Sequence, residues 1–176
     1  MAQQEIIFAG FGGQGILSMG KFLAYAGMDA GLNVSWLPSY GPEMRGGTAN
    51  CSVILTGDQV GSPIVADADT VVVMNRPSLD KFEHTIKPNG VLIVDSDLVT
   101  RIPDRKDIQV ISIPAQSLAE EIGSKTIANM ILLGALVAKT GIVSMDDILK
   151  ALKDHGKEKF FEANKKALEK GAEFVA

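Results

Sequence analysis

Gly10, Gly12 and Gly15 in the run GFGGQG stand at G-x-G-x-x-G spacing, directly after the apolar stretch Ile6-Ile7-Phe8-Ala9. Glycines so placed between a strand and a helix let the backbone approach a phosphate, while the helix supplies free N–H groups and the positive end of its dipole. With the intervening residues, Gly10, Gly12, Gly13, Gln14 and Gly15 form a first candidate anion-binding loop. A NAD-binding loop of this kind is followed, roughly 20 residues on, by an acidic residue at the end of the second strand that holds the ribose 2′-OH. Here that strand ends Trp36-Leu37-Pro38-Ser39, and Glu43 comes later in a different context. NAD(P) is therefore the minor reading, and a tight turn with close helix packing is the structural alternative.

A second loop, Ser39-Tyr40-Gly41-Pro42-Glu43-Met44-Arg45-Gly46-Gly47, follows the next strand. In an open α/β sheet, ligands bind outside the carboxyl ends of the strands, so both loops are expected to face one crevice. Arg45 suits a phosphate or carboxylate, and Gly46 and Gly47 leave room beside it. A bridge from Arg45 to Glu43 that stiffens the loop is the alternative. Asn75, just beyond an apolar strand, either lines the crevice or caps the helix that follows. Asn129 lies in an almost wholly apolar helix and must find a partner there, with backbone the expected one. Cys51 alternates inward on a strand and reads as a small core residue. His84 and His155 fall in no metal or triad pattern and read as solvated residues near helix ends. No catalytic residue and no metal ligand is expected of this chain.

Loops at one edge need strands that end there. Glu5 to Ala9 reads as a short buried strand and Gly15 to Gly31 as a helix with Ile16, Leu17, Met19, Phe22, Leu23 and Ala26 inward. Val34 to Leu37 is a second strand, stopped by Pro38. Thr48 to Thr56 alternates, with Ala49, Cys51, Val53 and Leu55 on one face and Asn50, Ser52 and Ile54 on the other. Thr70 to Met74 and Gly90 to Val94 are continuous apolar runs, as parallel strands buried on both faces require, with a short helix from Pro77 to Thr85 between them. Val110 to Ile113 is a shorter strand of that kind. Thr126 to Lys139 is a helix apolar nearly all round, while Met145 to Lys153 and Lys157 to Phe174 are amphipathic, the last with Glu162 and Lys166 on a solvated face. The alternation of strands and helices predicts a doubly wound α/β sheet. Thr48 to Thr56 follows the second strand without room for a crossover helix, which predicts a mixed sheet with one antiparallel member.

The composition sets outer limits. A chain of 176 residues, 46% hydrophobic and 22% charged, has the size of one well-buried domain. A net charge of -4 argues against a phosphate-backbone footprint, so nucleic acid is not an expected partner. With Cys51 the lone cysteine, neither an internal disulfide nor an iron–sulfur cluster held wholly by this chain is expected. The start MAQQE lacks a basic region before its apolar run, and the longest apolar segment, Ile127 to Ala138, is too short to span a bilayer. A cytoplasmic location without membrane contact is the expectation.

GFGGQGI after the first strand, followed by WLPSYGPEMRGGTANCSVILT, closely resembles the gamma subunit of the 2-oxoacid:ferredoxin (acceptor) oxidoreductases. VVVMNRPSLDKF, the strand before Asp95 and TIANMILLGAL extend the resemblance over nearly the whole chain. The resemblance implies a single Rossmann-like, three-layer α/β domain over residues 1–176 with a mostly parallel, mixed sheet. It implies a subunit, inactive in isolation, of an enzyme that turns a 2-oxoacid, coenzyme A and oxidised ferredoxin into acyl-CoA, CO2 and reduced ferredoxin. The wording of the loops leans toward the 2-oxoglutarate branch over pyruvate. Thiamine diphosphate, magnesium and the iron–sulfur clusters would lie on alpha, beta and possibly delta partner subunits, with ferredoxin met through the complex and coenzyme A at or near this chain. On this resemblance Gly12, Gly13, Gln14 and Gly15 face the pyrophosphate end of coenzyme A, and Tyr40, Gly41, Pro42, Glu43, Arg45 and Gly46 form a lip toward the thiamine site. The other readings left open are a stand-alone NAD(P)-binding protein and a pure interaction module, in which Arg45 and Glu43 meet partner charges and Tyr40 is a buried anchor. Outside its assembly the chain would expose a patch through which a homodimer can form.

Overall fold

Ile6 to Ala9 form the centre of the first strand, β1 (Gln3–Phe11), and are buried on both faces as an apolar run between two neighbouring strands must be. The computed structural model describes residues 3–39 and 48–176. β1 leads through the glycine turn into α1 (Ile16–Asp29), followed by β2 (Asn33–Ser39), β3 (Thr48–Thr56) and β4 (Ala68–Val73). Then come α2 (Arg76–Phe82), β5 (Ile86–Asp95), β6 (Gln109–Ile113), α3 (Ala115–Ile122), α4 (Ala128–Thr140), α5 (Met145–His155) and α6 (Phe161–Val175). The strands form one sheet in the order β2-β3-β1-β4-β5-β6.

β1, β4, β5 and β6 run parallel, and β3 lies antiparallel between β2 and β1. The antiparallel member is thus the strand for which the sequence left no crossover helix. Its inward residues Ala49, Cys51, Val53 and Leu55 are buried and its Asn50 and Ser52 half-buried, as the alternation predicts.

The two faces of the sheet are covered unequally. α1, α3, α4, α5 and α6 share one core with Ile6, Phe8, Val72 and Ile93. On the other face Leu79 of α2 and loop residues Val65 and Val99 close a smaller core over Ile7, Ala9, Val71 and Leu92. These are the expected three layers of an α/β domain, with one outer layer thin. α4 is buried along nearly its whole length, Ala128 to Val137, and α6 crosses it so closely that a methyl at Gly171 would run into the Ile131 carbonyl and one at Gly134 into the Leu168 carbonyl.

Several elements differ from expectation. β2 is not stopped by Pro38 but runs on to Ser39 with Pro38 in register with Cys51, because an outer strand of the sheet tolerates a proline. The helix expected over Pro77 to Thr85 stops at Phe82, and Glu83–Thr85 turn as a 3-10 segment. The helix expected from Lys157 likewise begins at Phe161, after a 3-10 turn at Glu158–Phe160. β5 starts at Ile86 rather than Gly90, because an irregularity opposite Ala68–Thr70 lets Lys87 to Asn89, with Asn89 at φ 67, join the strand. α3 has no counterpart in the sequence reading. It is eight residues long, and part of its N-terminal capping comes from far away: the Asp97 carboxylate accepts the Ser117 N–H at 2.7 Å. Among the described residues no helix is long and apolar enough to cross a membrane.

Candidate functional site

The glycine turn is held from inside by one side chain. Gln14 Oε1 accepts the Phe11 N–H at 2.6 Å, and Gln14 Nε2 donates to the Met74 carbonyl at 3.1 Å, so a single amide ties the end of β1 to the end of β4. Both polar ends of Gln14 are occupied by backbone. Gly10 lies beneath, with Gln14 and Ile16 packed where a side chain would stand. Gly13 adopts φ +91 with open space around it, a conformation that glycine takes without strain.

Gly15 is the N-cap of α1 at φ 75. Its carbonyl accepts the Met19 N–H at 3.1 Å and the Asn129 amide at 3.2 Å, so Asn129 finds the backbone partner expected of it and ties α4 to the start of α1. Among the described residues no side chain caps α1, and its first turn holds no acidic residue. The N–H groups of Ile16, Leu17 and Ser18 therefore have no partner inside the helix. They border an open hollow of about 310 Å³ lined also by Phe11, Gly12, Gly13 and Ala49. Free N–H groups, the positive end of the helix dipole and backbone without side chains make this hollow suited to an anion. Coenzyme A, whose pyrophosphate is anionic, fits such a set of donors.

Ser39 ends β2 at the same edge and is exposed, paired in register with Asn50. Tyr40, Gly41, Pro42, Glu43, Arg45, Gly46 and Gly47 lie outside the described residues. The strands on either side of them do not: Thr48, at the start of β3, pairs with Phe11 at the end of β1. The downstream end of the second loop therefore stands beside the first, and its upstream end, Ser39, lies one strand further out at the same edge.

Asn75 follows β4 at this edge and is buried. Its Oδ1 accepts the Ser78 N–H at 2.9 Å, capping α2, while its Nδ2 has no hydrogen-bond partner among the described residues. Capping thus accounts for half of its amide.

Two further groups separate site from scaffold. Cys51 is fully buried and donates to the Ile16 carbonyl at 3.6 Å. Burial pushes its thiol up to about 12, against the neighbouring Trp36 side chain and Gly20 backbone, as befits a small core residue. Asp95, which the sequence reading passed over, ends β5 fully buried at the same edge. Its Oδ1 accepts the Asp97 N–H at 3.1 Å and its Oδ2 the Gln116 amide at 2.9 Å. Burial raises its pKa above the ordinary carboxylate value, against those hydrogen bonds. A lone acid closing an otherwise apolar strand is the signal that could have found it. His84 is exposed, as expected; His155 is exposed too but stacks on Tyr25 with ring centroids 3.6 Å apart. Among the described residues no group of His, Cys, Asp and Glu is arranged to hold a metal.

Residues 5–174 match the family model described as pyruvate ferredoxin/flavodoxin oxidoreductase. The chain belongs to this family. The ketoisovalerate oxidoreductase subunit VorA of Methanothermobacter marburgensis is 40% identical over 177 residues, covering 97% of this chain and 36% of the relative. This chain thus spans about a third of the length of that relative. Among solved structures, the gamma subunit of a keto/oxoacid ferredoxin oxidoreductase from Geobacter sulfurreducens superposes with a TM-score of 0.86 at 36% identity, over 98% of both chains. The 2-oxoglutarate:ferredoxin oxidoreductase of Magnetococcus marinus, solved with 2-oxoglutarate, coenzyme A and succinyl-CoA bound, gives a TM-score of 0.89 at 27% identity, over 99% of this chain and 31% of the other. The gamma-subunit resemblance is upheld, and ketoisovalerate joins 2-oxoglutarate and pyruvate among the oxoacids named for the family.

Proposed function

We propose that residues 1–176 act as one gamma-type unit of a 2-oxoacid:ferredoxin oxidoreductase, holding the anionic end of coenzyme A at the N-terminus of α1 and helping to assemble the complex. The observation that carries this reading is the uncapped, acid-free first turn of α1 opening on a glycine-lined hollow. In the overall reaction the 2-oxoacid loses its carboxyl group as CO2 and its acyl carbon is oxidised by two electrons, which pass to ferredoxin. The coenzyme A sulfur bonds to that acyl carbon and the thiol proton is released.

The residues of this chain act on the thiol substrate. Gly12 and Gly13 leave the backbone open to it, the α1 N–H groups hold its negative charge, and Gln14 and Asn129 fix the loop and helix that present them. In this reading the iron–sulfur clusters, which need several thiolates where residues 1–176 have one cysteine, belong to partner subunits together with thiamine diphosphate and magnesium. The pocket for the oxoacid likewise lies on those subunits, so the residues described here do not choose among 2-oxoglutarate, pyruvate and a branched-chain 2-oxoacid.

The test places a charge where the pyrophosphate would sit. Gly13→Asp has room for its side chain but holds it at φ +91, so Gly13→Asn, which carries the same backbone strain without the charge, is the control. In the reconstituted complex Gly13→Asp is expected to raise KM for coenzyme A at least tenfold while leaving KM for the 2-oxoacid unchanged. An unaltered KM for coenzyme A in a complex that still assembles would remove the anion-holding role.

A further inference from the structure

The seven residues of β2 and the nine of β3 include no Asp, Glu, Lys or Arg, in a chain that is 22% charged. β2 is also an outer strand of the sheet. The helix that packs on these two strands, α1, lies on the face shared with Trp36, Cys51 and Val53. On the opposite face the register sets Ser35 beside Ile54 and Leu37 beside Ser52, while α2 packs against β4 and β1. Ile54 is itself buried in the smaller core, so the open part of the face is Leu37 with half-buried Ser35 and Ser52. Leu37 is 41% exposed there, and Phe11, on the same face at the end of β1, is 39% exposed. Outer strands of free-standing proteins are usually blunted by charge or covered, and an uncharged, part-apolar face left open marks an interface.

We infer that this face of β2 and β3 docks a larger subunit of the same enzyme, through an uncharged surface that offers an apolar side chain to Leu37 and hydrogen-bonding groups to Ser35 and Ser52. The inference rests on the gamma-subunit reading. Two observations favour that occupant over a second copy of this chain. The face runs into the candidate site, since Phe11 belongs both to it and to the hollow at α1, so a body seated here reaches the bound thiol substrate. The same fold also makes up 98% of the Geobacter gamma chain but only 31% of the Magnetococcus chain and 36% of VorA. The domain thus recurs with and without a much larger body attached to it, and that body is at hand to cover the face.

Leu37→Glu and Ser52→Lys place charges on this face; Met28→Glu, at an exposed position of α1, is the control. Each full chain is melted alone and then mixed with the remaining subunits of its host complex, and assembly is read by size-exclusion chromatography. The two face variants are expected to melt close to wild type yet lose at least tenfold in affinity for the other subunits, with Met28→Glu unaffected. Leu37→Ser replaces either variant that fails to fold. Assembly at wild-type affinity would overturn the inference and leave the gamma-subunit reading standing. So would a homodimer of the isolated chain that the variants break while hetero-assembly persists, because the occupant would then be a second copy. Failure of the wild-type chain to bind any thiamine-dependent subunit would overturn both.

Discussion

At the amino edge of the sheet, Lys87 donates to Glu5 at 3.1 Å and to Asp69 at 3.2 Å, and the second Asp69 oxygen accepts the Glu5 N–H at 2.8 Å. At the carboxyl edge, the first turn of α1 offers N–H groups that no side chain caps among the described residues. Each edge has a hollow of similar size, about 270 Å³ beside Lys87 and about 310 Å³ beside the glycine turn. Volume therefore does not tell them apart. In the first, Lys87 pairs with Asp69 and Thr70 with Gln4, and the other cation lining it, Lys139, is exposed to water. In the second, donors are left over, and leftover donors are what a ligand can use.

The sharpest way to break this contrast is Gly15→Ala. It forces a left-handed conformation on alanine and drives a methyl into the Asn129 amide, at a combined cost of about 2–4 kcal/mol. A lowered Tm together with loss of coenzyme A binding in the complex is expected; unchanged binding would show that the start of α1 does not hold the ligand. Gln14→Ala removes two part-buried hydrogen bonds, each contributing about 0.5–1.5 kcal/mol. It is expected to raise KM for coenzyme A several-fold with a smaller fall in Tm, since it frees the turn without filling the hollow.

The smallest effect belongs to the amino edge. Lys87→Met is expected to cost under about 1 kcal/mol, as part-exposed ion pairs do, and to leave turnover unchanged. Partial burial works to lower the Lys87 pKa, but the hydrogen bonds to Glu5 and Asp69 outweigh it and raise the pKa above 10.5. A raised lysine stabilises the fold fully below its unfolded value and loses that contribution as pH climbs through the folded one. The Tm gap between wild type and Lys87→Met should therefore be constant up to about pH 10 and close at higher pH, as thermal melts across that range would register.

The central strands were legible because apolar runs such as Thr70 to Met74 allow little else, and β3 because its alternation matches a half-covered strand. α3 was not legible. Eight residues make a weak periodic signal, and the carboxylate that caps it, Asp97, lies 20 residues away. The glycine turn could be placed from its spacing, but not the internal role of Gln14: read as a ligand contact, it also bridges Phe11 and Met74 with its amide. That bridge depends on β4 ending beside β1, a pairing the local sequence does not encode. Asp95 escaped notice for a similar reason, since its partners Asp97 and Gln116 meet it only after β5, β6 and α3 have assembled.

Trp36 is the only tryptophan in the chain. It sits in β2 with its indole turned toward Gly20 and the Cys51 thiol. Its fluorescence therefore reports from behind the uncharged face that Leu37 occupies on the neighbouring residue. A thiol is a contact quencher of indole emission, so any event that shifts the β2–β3 hairpin against α1 should change Trp36 intensity without an added label. The chain carries an intrinsic optical sensor set one strand's thickness from the surface proposed to meet its partner.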